Sequence, residues 1–387
     1  MKISGSIIRN FEQWNQDIST QDYSFKIQEL KNWIRKILYC NMKKLIILFL
    51  LPFILFAQQQ SDRTLFYDGN NREYILYVPE NYDDINSLPV LFNFHGGNGL
   101  ASDWLSMSDM RSLADTAGCI LVYPQALGDP DDDGSLNWLH KGDTDHDDIY
   151  FIEAIIDALS SEFLIDNNRI YACGYSLGGE FTYELLCRLN DRIAAGVAVA
   201  RTMQQYQYDN CSPEHPTAIM TILGTDDFTS PYEGLVWGGE TYYVSADDMH
   251  SYWVNYNNTN LDPIVNAIPN TNMSDGSTVD RRSWVDGDNC VSVEELRVNN
   301  GGHDWPGVFG NMDIDSNIEI WNFVSQYDIN GLINCDNFSS IEQIELINNK
   351  VCVQIIDILG RLHTGQFDSF LFYIYNDGSI EKKYILK

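Results

Sequence analysis

Apolar residues in the middle of this chain fall into short unbroken runs, and between those runs they recur at helical spacing. Residues 63–67 and 72–79 alternate apolar and polar on either side of Asp68-Gly69-Asn70-Asn71, which predicts a β-hairpin. Further strands are predicted over the short runs 89–94, 120–124, 169–173, 193–200 and 218–223, and over the strand-like stretch 293–298. Asp147-Asp148 opens a helix with Ile149, Phe151, Ile152, Ile155, Ile156 and Leu159 on one face, and its carboxylates suit the positive end of the helix dipole. A second helix runs through 181–187, His250 lies within a third beside Met249, Tyr252 and Trp253, and the last helical pattern stops after Trp321 to Tyr327. Strands alternating with helices predict an α/β domain with a mainly parallel sheet and active-site loops at its carboxyl edge. Residues 341–387 alternate apolar and polar instead, which predicts a small all-β module after a linker over 333–340.

Length and charge narrow the possibilities. A chain of 387 residues can hold one large α/β domain with something appended, or two ordinary domains, and a hydrophobic fraction of 44% excludes wholesale disorder. The formal charge of −31 repels phosphodiester backbones and anionic lipid, so nucleic acid is excluded as an expected partner. Residues 42–57 begin Met42-Lys43-Lys44, continue as an apolar run and end at Ala57, the layout of a secretory signal peptide. The run is short for a spanning helix, and a stable membrane anchor is not expected. Residues 1–41 carry no motif, and the position of the leader predicts that translation starts at Met42. Of the eight cysteines, none forms a C-x-x-C pair, which disfavours zinc and thioredoxin-type chemistry. Cys119 and Cys173 fall in strand-like runs and read as buried thiols, whereas Cys211 and Cys290 in polar loops are the bridge candidates. The acidic run at 129–134 reads as a solvated loop; no Glu closes it at the spacing of a calcium-binding loop, and no metal or cofactor is expected.

The stretch Gly174-Tyr175-Ser176-Leu177-Gly178-Gly179 sits between a strand and a helix, where a nucleophile elbow would expose the Ser176 hydroxyl. His95-Gly96-Gly97-Asn98-Gly99 follows another strand and suits an oxyanion loop, since glycines leave backbone N–H groups unshielded; His95 itself reads as structural. A serine nucleophile needs a base, and the base needs a carboxylate, in the chain order serine, acid, histidine. Beyond Asp227, His250 is helical, His363 is in the tail, and His303 lies in the turn-forming loop 300–306 after a strand, so His303 takes the base role. Asp226 and Asp227 both end a strand and point to opposite sides, which leaves the acid open between them, with Asp304 ranked last.

Together, His95-Gly96-Gly97, Gly174 to Gly179, Gly224-Thr225-Asp226-Asp227 and Gly301-Gly302-His303-Asp304-Trp305-Pro306-Gly307 resemble the secreted polyhydroxybutyrate depolymerase and feruloyl esterase family of α/β-hydrolases, over about residues 63–330. The resemblance implies an α/β-hydrolase esterase domain over 62–332, with Ser176, Asp227 and His303 as the triad. It further implies an oxyanion hole from the amides of Leu177 and of Gly97 or Gly96. Trp305 and Trp138 are expected to wall an acyl or aryl pocket. Leu177, Asp304 and Leu223 depart from the family's usual Asn, Thr or Ser, and His at those places, and they border the cleft. The implied activity is a secreted serine carboxylesterase on feruloyl or acetyl esters of plant polysaccharide or on polyester. A serine peptidase on the same fold and a non-catalytic binding protein are the alternatives. The D-x-x-G-R turn at 357–361 and the basic final strand resemble the C-terminal sorting domain of type IX secretion, implying secretion machinery as a partner; the alternative is an extra β-domain that binds carbohydrate or stabilises the fold.

Overall fold

The computed structural model describes residues 59–128, 134–138 and 148–335 with their side chains, and the backbone of 352–357, 369–375 and 380–385. The expected upstream segment, the signal peptide, most of the acidic run at 129–134 and the D-x-x-G-R turn lie outside the described residues. No helix among the described residues is long and apolar enough to cross a membrane.

The predicted hairpin forms as β1 (Gln60–Tyr67) and β2 (Asn70–Tyr77). The chain continues through β3 (Leu88–Phe94), α1 (Ala101–Met107), α2 (Arg111–Ala117), β4 (Ile120–Pro124), α3 (Asp148–Glu162), β5 (Ile165–Tyr175) and α4 (Leu177–Arg188). Next come β6 (Ala195–Val199), α5 (Gln205–Asn210), β7 (Ala218–Gly224), the small hairpin β8 (Leu235–Trp237) and β9 (Glu240–Tyr243), and α6 (Ala246–Tyr256). Strands β10 (Ile264–Ala267), β11 (Thr278–Trp284) and β12 (Val293–Asn299) precede α7 (Ser316–Val324) and the short pair β13 (Tyr327–Asp328) and β14 (Gly331–Leu332). Ten strands form one sheet in the order β1-β2-β4-β3-β5-β6-β7-β12-β11-β10. Its six central members, β4 to β12 in that order, run parallel, and antiparallel pairs finish both edges.

Alternation along the central strands divides the core in two. In β5, Ile170 and Ala172 face a layer packed by α3, α4 and α6, while Tyr171 and Cys173 face a layer packed by α1, α2 and α7. A parallel strand covered on both faces must be apolar at successive positions, which is why β6 and β7 are buried throughout. The start of α3 is fixed by a buried ion pair, Arg72 Nη1 to Asp148 Oδ1 at 2.6 Å, with the guanidinium over the Phe151 ring.

Two expectations need correction. The last helix ends at Val324, short of Tyr327: Tyr327 pairs with Leu332 in β13 and β14, and its hydroxyl hydrogen-bonds with that of Ser292. The expected linker over 333–340 also contains an anchored residue, Cys335, which forms a disulfide with Cys290. Cys211 bridges to Cys187, tying the end of α5 to the end of α4. Both loop cysteines singled out in the sequence are therefore bridged, and Cys119 and Cys173 are buried free thiols. At the C-terminus, β15 (Cys352–Asp357), β16 (Ser369–Tyr375) and β17 (Ile380–Ile385) form a separate antiparallel sheet, in keeping with the alternation there.

Candidate active site

Four strands end at one place on the carboxyl edge of the sheet. β5 runs into Ser176, β7 into Asp227, β12 into His303 and β3 into His95. The turn at Ser176 is the tightest of these. Ser176 has φ 53° and ψ −119°, a conformation that costs a non-glycine residue about 1–3 kcal/mol. Its N–H donates to the Val199 carbonyl at 2.9 Å, and its own carbonyl accepts from Glu180 N at 3.0 Å, which starts α4. The flanking glycines are sterically required. A Cβ on Gly174 would stand 2.2 Å from the Gly178 carbonyl oxygen, and one on Gly178 would stand 2.3 Å from that of Phe94. This is a nucleophile elbow, with the serine held at the start of a helix where it passes the neighbouring strand. The chain has the α/β-hydrolase fold.

Around this elbow the hydrolase fold brings three side chains into one hydrogen-bonded series. His303 Nε2 lies 2.9 Å from Ser176 Oγ, and His303 Nδ1 lies 2.7 Å from Asp227 Oδ2. An ionised carboxylate only accepts, so Nδ1 carries the proton it donates, and the Nε2 lone pair is left to accept from the serine hydroxyl. Asp227 is buried, and its other oxygen, Oδ1, accepts from the backbone N–H groups of Thr229 and Ser230, both at 2.8 Å. These two donors fix the carboxylate toward His303. Asp226 is exposed; its backbone N–H donates to the Gly301 carbonyl, and its carboxylate accepts from the neighbouring Thr225 hydroxyl rather than from His303. Asp304 turns back on its own loop and accepts from Gly302 N at 2.9 Å. Of the three acids weighed from the sequence, only Asp227 meets the imidazole.

The His95 loop runs alongside the nucleophile. A Cβ on Gly96 would lie 3.3 Å from Ser176 Cβ, and one on Gly97 2.6 Å from Leu177 Cδ1. Among the described residues the amides of Gly96, Gly97 and Leu177 have no hydrogen-bond acceptor, and the first of α4's N–H groups has none within the helix by construction. His95 braces this loop, with its Nδ1 2.7 Å from the Gly96 carbonyl oxygen and its Nε2 accepting from Ala126 N at 3.1 Å. Burial holds the His95 imidazole below its usual pKa, so it stays neutral and keeps both bonds.

Trp305 and Trp138 are both buried, which corrects the expectation that they wall an acyl or aryl pocket. Trp305 is wholly buried, edge-on to Trp104 at 4.8 Å, with its indole N–H on Asn317 Oδ1. Trp138 is 3% exposed, stacks on Phe181 at 4.9 Å and donates to the His95 carbonyl. Both rings hold the site's loops from behind, because each indole N–H finds a partner in the core. The exposed ring nearest the acid in sequence is Phe228, 94% accessible. A cavity of about 140 Å³ lined by Glu184, Arg188 and the Cys187–Cys211 bridge opens at the opposite end of α4, and no triad residue lines it.

Two contributors carried no signal in the sequence. Tyr175, the unspecified residue before the serine in the motif, donates its hydroxyl to the His303 carbonyl at 2.8 Å. Glu180, one turn into α4, is buried and accepts from Arg201 Nε and from the Tyr243 hydroxyl, each at 3.0 Å, which pins the hairpin β8–β9 to the nucleophile helix.

No family model matches the chain. Feruloyl esterase B of Piromyces equi is 28% identical over 274 residues, which make up 67% of this chain and 46% of that protein. A bifunctional acetylxylan esterase/xylanase of Neocallimastix patriciarum is 27% identical over 263 residues, 68% of this chain and 34% of that protein. The chain thus spans less than half the length of these curated relatives. Among solved structures, acetyl xylan esterase from Aspergillus awamori superposes with a TM-score of 0.49 at 14% identity, over 68% of this chain and 99% of that one.

Proposed function

We propose that this chain is a secreted serine carboxylic-ester hydrolase acting on feruloyl or acetyl esters of plant polysaccharide. The observation that carries the reading is the unbroken series Ser176 Oγ, His303 Nε2, His303 Nδ1, Asp227 Oδ2 beside unpaired amides. Ser176 attacks the ester carbonyl carbon while its proton passes to His303 Nε2, and Asp227 stabilises the imidazolium that results. The amides of Leu177 and of Gly97 or Gly96 receive the negative charge that develops on the carbonyl oxygen. His303 then gives its proton to the departing alcohol. In the second half it takes a proton from water, whose oxygen attacks the acyl carbon, and returns that proton to Ser176 Oγ as the acyl–oxygen bond breaks and the carboxylic acid departs. The names of the two curated relatives, a feruloyl esterase and an acetylxylan esterase/xylanase, favour polysaccharide esters over polyester as substrate. Two disulfides among the described residues support an oxidising compartment, as export through the leader at 42–57 would supply. We further propose the sheet of β15 to β17 as a sorting module for that export.

The test is turnover of p-nitrophenyl acetate, methyl ferulate, acetylated xylan and short polyhydroxybutyrate by wild type and Ser176→Ala. Wild type is expected to hydrolyse the first three and the variant none. Hydrolysis confined to polyhydroxybutyrate moves the substrate assignment to polyester. No turnover of any ester by wild type overturns the proposal.

A further inference from the structure

The residue before the nucleophile reaches across the site to the loop that carries the base. Tyr175 is the last residue of β5, and its hydroxyl donates to the backbone carbonyl of His303 at 2.8 Å. Its ring lies against the His303 imidazole with centroids 5.0 Å apart, stacks on Trp104 at 5.2 Å and 17°, and meets Phe309 edge-on at 6.0 Å. Trp104 in turn donates to Asn93 Oδ1 in β3 at 2.7 Å, so the tyrosine is backed by a rigid strand. The His303 side chain is hydrogen-bonded at its two nitrogens, by Asp227 and Ser176, and Gly301-Gly302 immediately precede it. The bonds from Asp226 N to the Gly301 carbonyl and from Gly302 N to Asp304 Oδ2 hold the loop just before His303, and the Tyr175 hydroxyl holds the carbonyl of His303 itself.

We infer that Tyr175 is a positioning residue for the base, fixing the backbone of His303 and one face of its ring so that Nε2 stays on the Ser176 hydroxyl; this rests on the triad proposed above. Because Ser176 and Tyr175 are adjacent, the same strand end sets the place of both the nucleophile and the base. Burial, followed by the charges of Asp227 and Asp304, pushes the Tyr175 phenol up to about 12, so the hydroxyl keeps its proton and donates at neutral pH.

A matched control lies four residues earlier in the same strand. The Tyr171 hydroxyl donates to the Tyr327 carbonyl, also at 2.8 Å, and touches no triad residue. The experiment compares Tyr175→Phe with Tyr171→Phe, both of which keep the ring and lose a 2.8 Å hydrogen bond to a backbone carbonyl; Tyr171→Phe loses in addition the bond its hydroxyl accepts from Arg169 Nε at 3.0 Å. Two readouts are taken. The first is kcat and KM on p-nitrophenyl acetate. The second is the downfield proton resonance of His303 Nδ1–H in the hydrogen bond to Asp227, followed in the full-length protein with His303→Ala as its assignment control.

Tyr175→Phe is expected to lower kcat about tenfold or more with KM unchanged, since a small misplacement of a catalytic group weakens the transition state alone. It is also expected to shift or broaden the downfield resonance. Tyr171→Phe is expected to lower the melting temperature and to leave kcat and the resonance as in wild type. Placing p-aminophenylalanine at 175, which restores a donor at the ring's para position, is expected to recover part of the lost kcat. Equal kcat and an unmoved resonance in Tyr175→Phe overturn the inference, as does an equal fall in kcat in both variants. If wild type turns over no ester, the esterase proposal fails by itself, and the resonance still decides for or against the role of Tyr175.

Discussion

Two histidines in this protein each stand between a hydroxyl and a carboxylate, and only one of them is in a position to do chemistry. His303 has Ser176 Oγ at 2.9 Å on Nε2 and Asp227 at 2.7 Å on Nδ1. His250, on α6, has Thr221 Oγ1 at 2.8 Å on Nε2 and Glu295 Oε2 at 4.0 Å from Nδ1. The second set is a buried counterpart of the first. Thr221 and Glu295 are paired residues in the middle of the parallel strands β7 and β12, both fully covered, and the His250 ring stacks on Trp284. Glu295 is already committed to the Tyr232 hydroxyl at 2.6 Å and to Arg282 at 2.8 Å, and His250 Nδ1 makes no hydrogen bond among the described residues. The difference lies in backbone and place. Ser176 sits at a strand end on a strained turn with unpaired amides beside it, whereas Thr221 sits in extended backbone whose N–H and C=O groups serve the sheet. An alcohol, an imidazole and a carboxyl in sequence do not make a catalytic site without access and a place for developing charge.

The largest effect that would separate the two sets is loss of the alcohol. Ser176→Ala is expected to reduce ester turnover by about 10⁴-fold or more, while Thr221→Val leaves kcat/KM unchanged, both measured on p-nitrophenyl acetate. Next comes the carboxylate. Asp227→Asn places an N–H or an amide oxygen where the imidazole needs a charge, and is expected to lower kcat about 10³ to 10⁴-fold with little change in KM. Asp226→Asn, on the exposed neighbour, is expected to leave both constants as they are. Equal losses in the two Asn variants would break the assignment of the acid.

Smaller effects belong to the buried set and appear in stability. His250→Gln is expected to cost about 1–3 kcal/mol in urea unfolding by disturbing the bond to Thr221, with kcat unaltered. Burial holds the His250 pKa below the ordinary imidazole value of 6.5, and His95 is shifted the same way for the same reason. The unfolded chain therefore binds protons near pH 6.5 that the folded one refuses, so their contribution is complete above that pH and is lost as the pH falls below it. The melting temperature is accordingly expected to drop as the pH falls from 7 to 5. The drop should be shallower in His250→Gln than in wild type, as differential scanning calorimetry would record.

Much of this site was legible because each triad member follows a short apolar strand at a glycine-rich turn, where a side chain can face solvent at the sheet edge. The choice between Asp226 and Asp227 was not legible from the residues themselves, since both end the same strand, and only the family resemblance implied Asp227. The N–H groups of Thr229 and Ser230 that orient Asp227 belong to a turn whose shape three-dimensional packing sets. Trp138 and Trp305 misled because a large ring in a motif loop reads alike whether it faces the cleft or the core; the partners Phe181 and Trp104 that draw them inward are distant in sequence. Tyr175 gave no sign, because its acceptor is a backbone carbonyl that sequence does not reveal. Cys187 was hidden inside a helical pattern, and its pairing with Cys211 depends on how α5 folds back onto α4.

The most direct measurement is covalent trapping with a fluorophosphonate, which reacts only with a hydroxyl made nucleophilic by a neighbouring base. Peptide mass spectrometry of the labelled wild type is predicted to find one adduct, on Ser176, absent from His303→Ala and fully present in His250→Gln. Label on any other hydroxyl, or undiminished labelling of Ser176 without His303, would contradict the account.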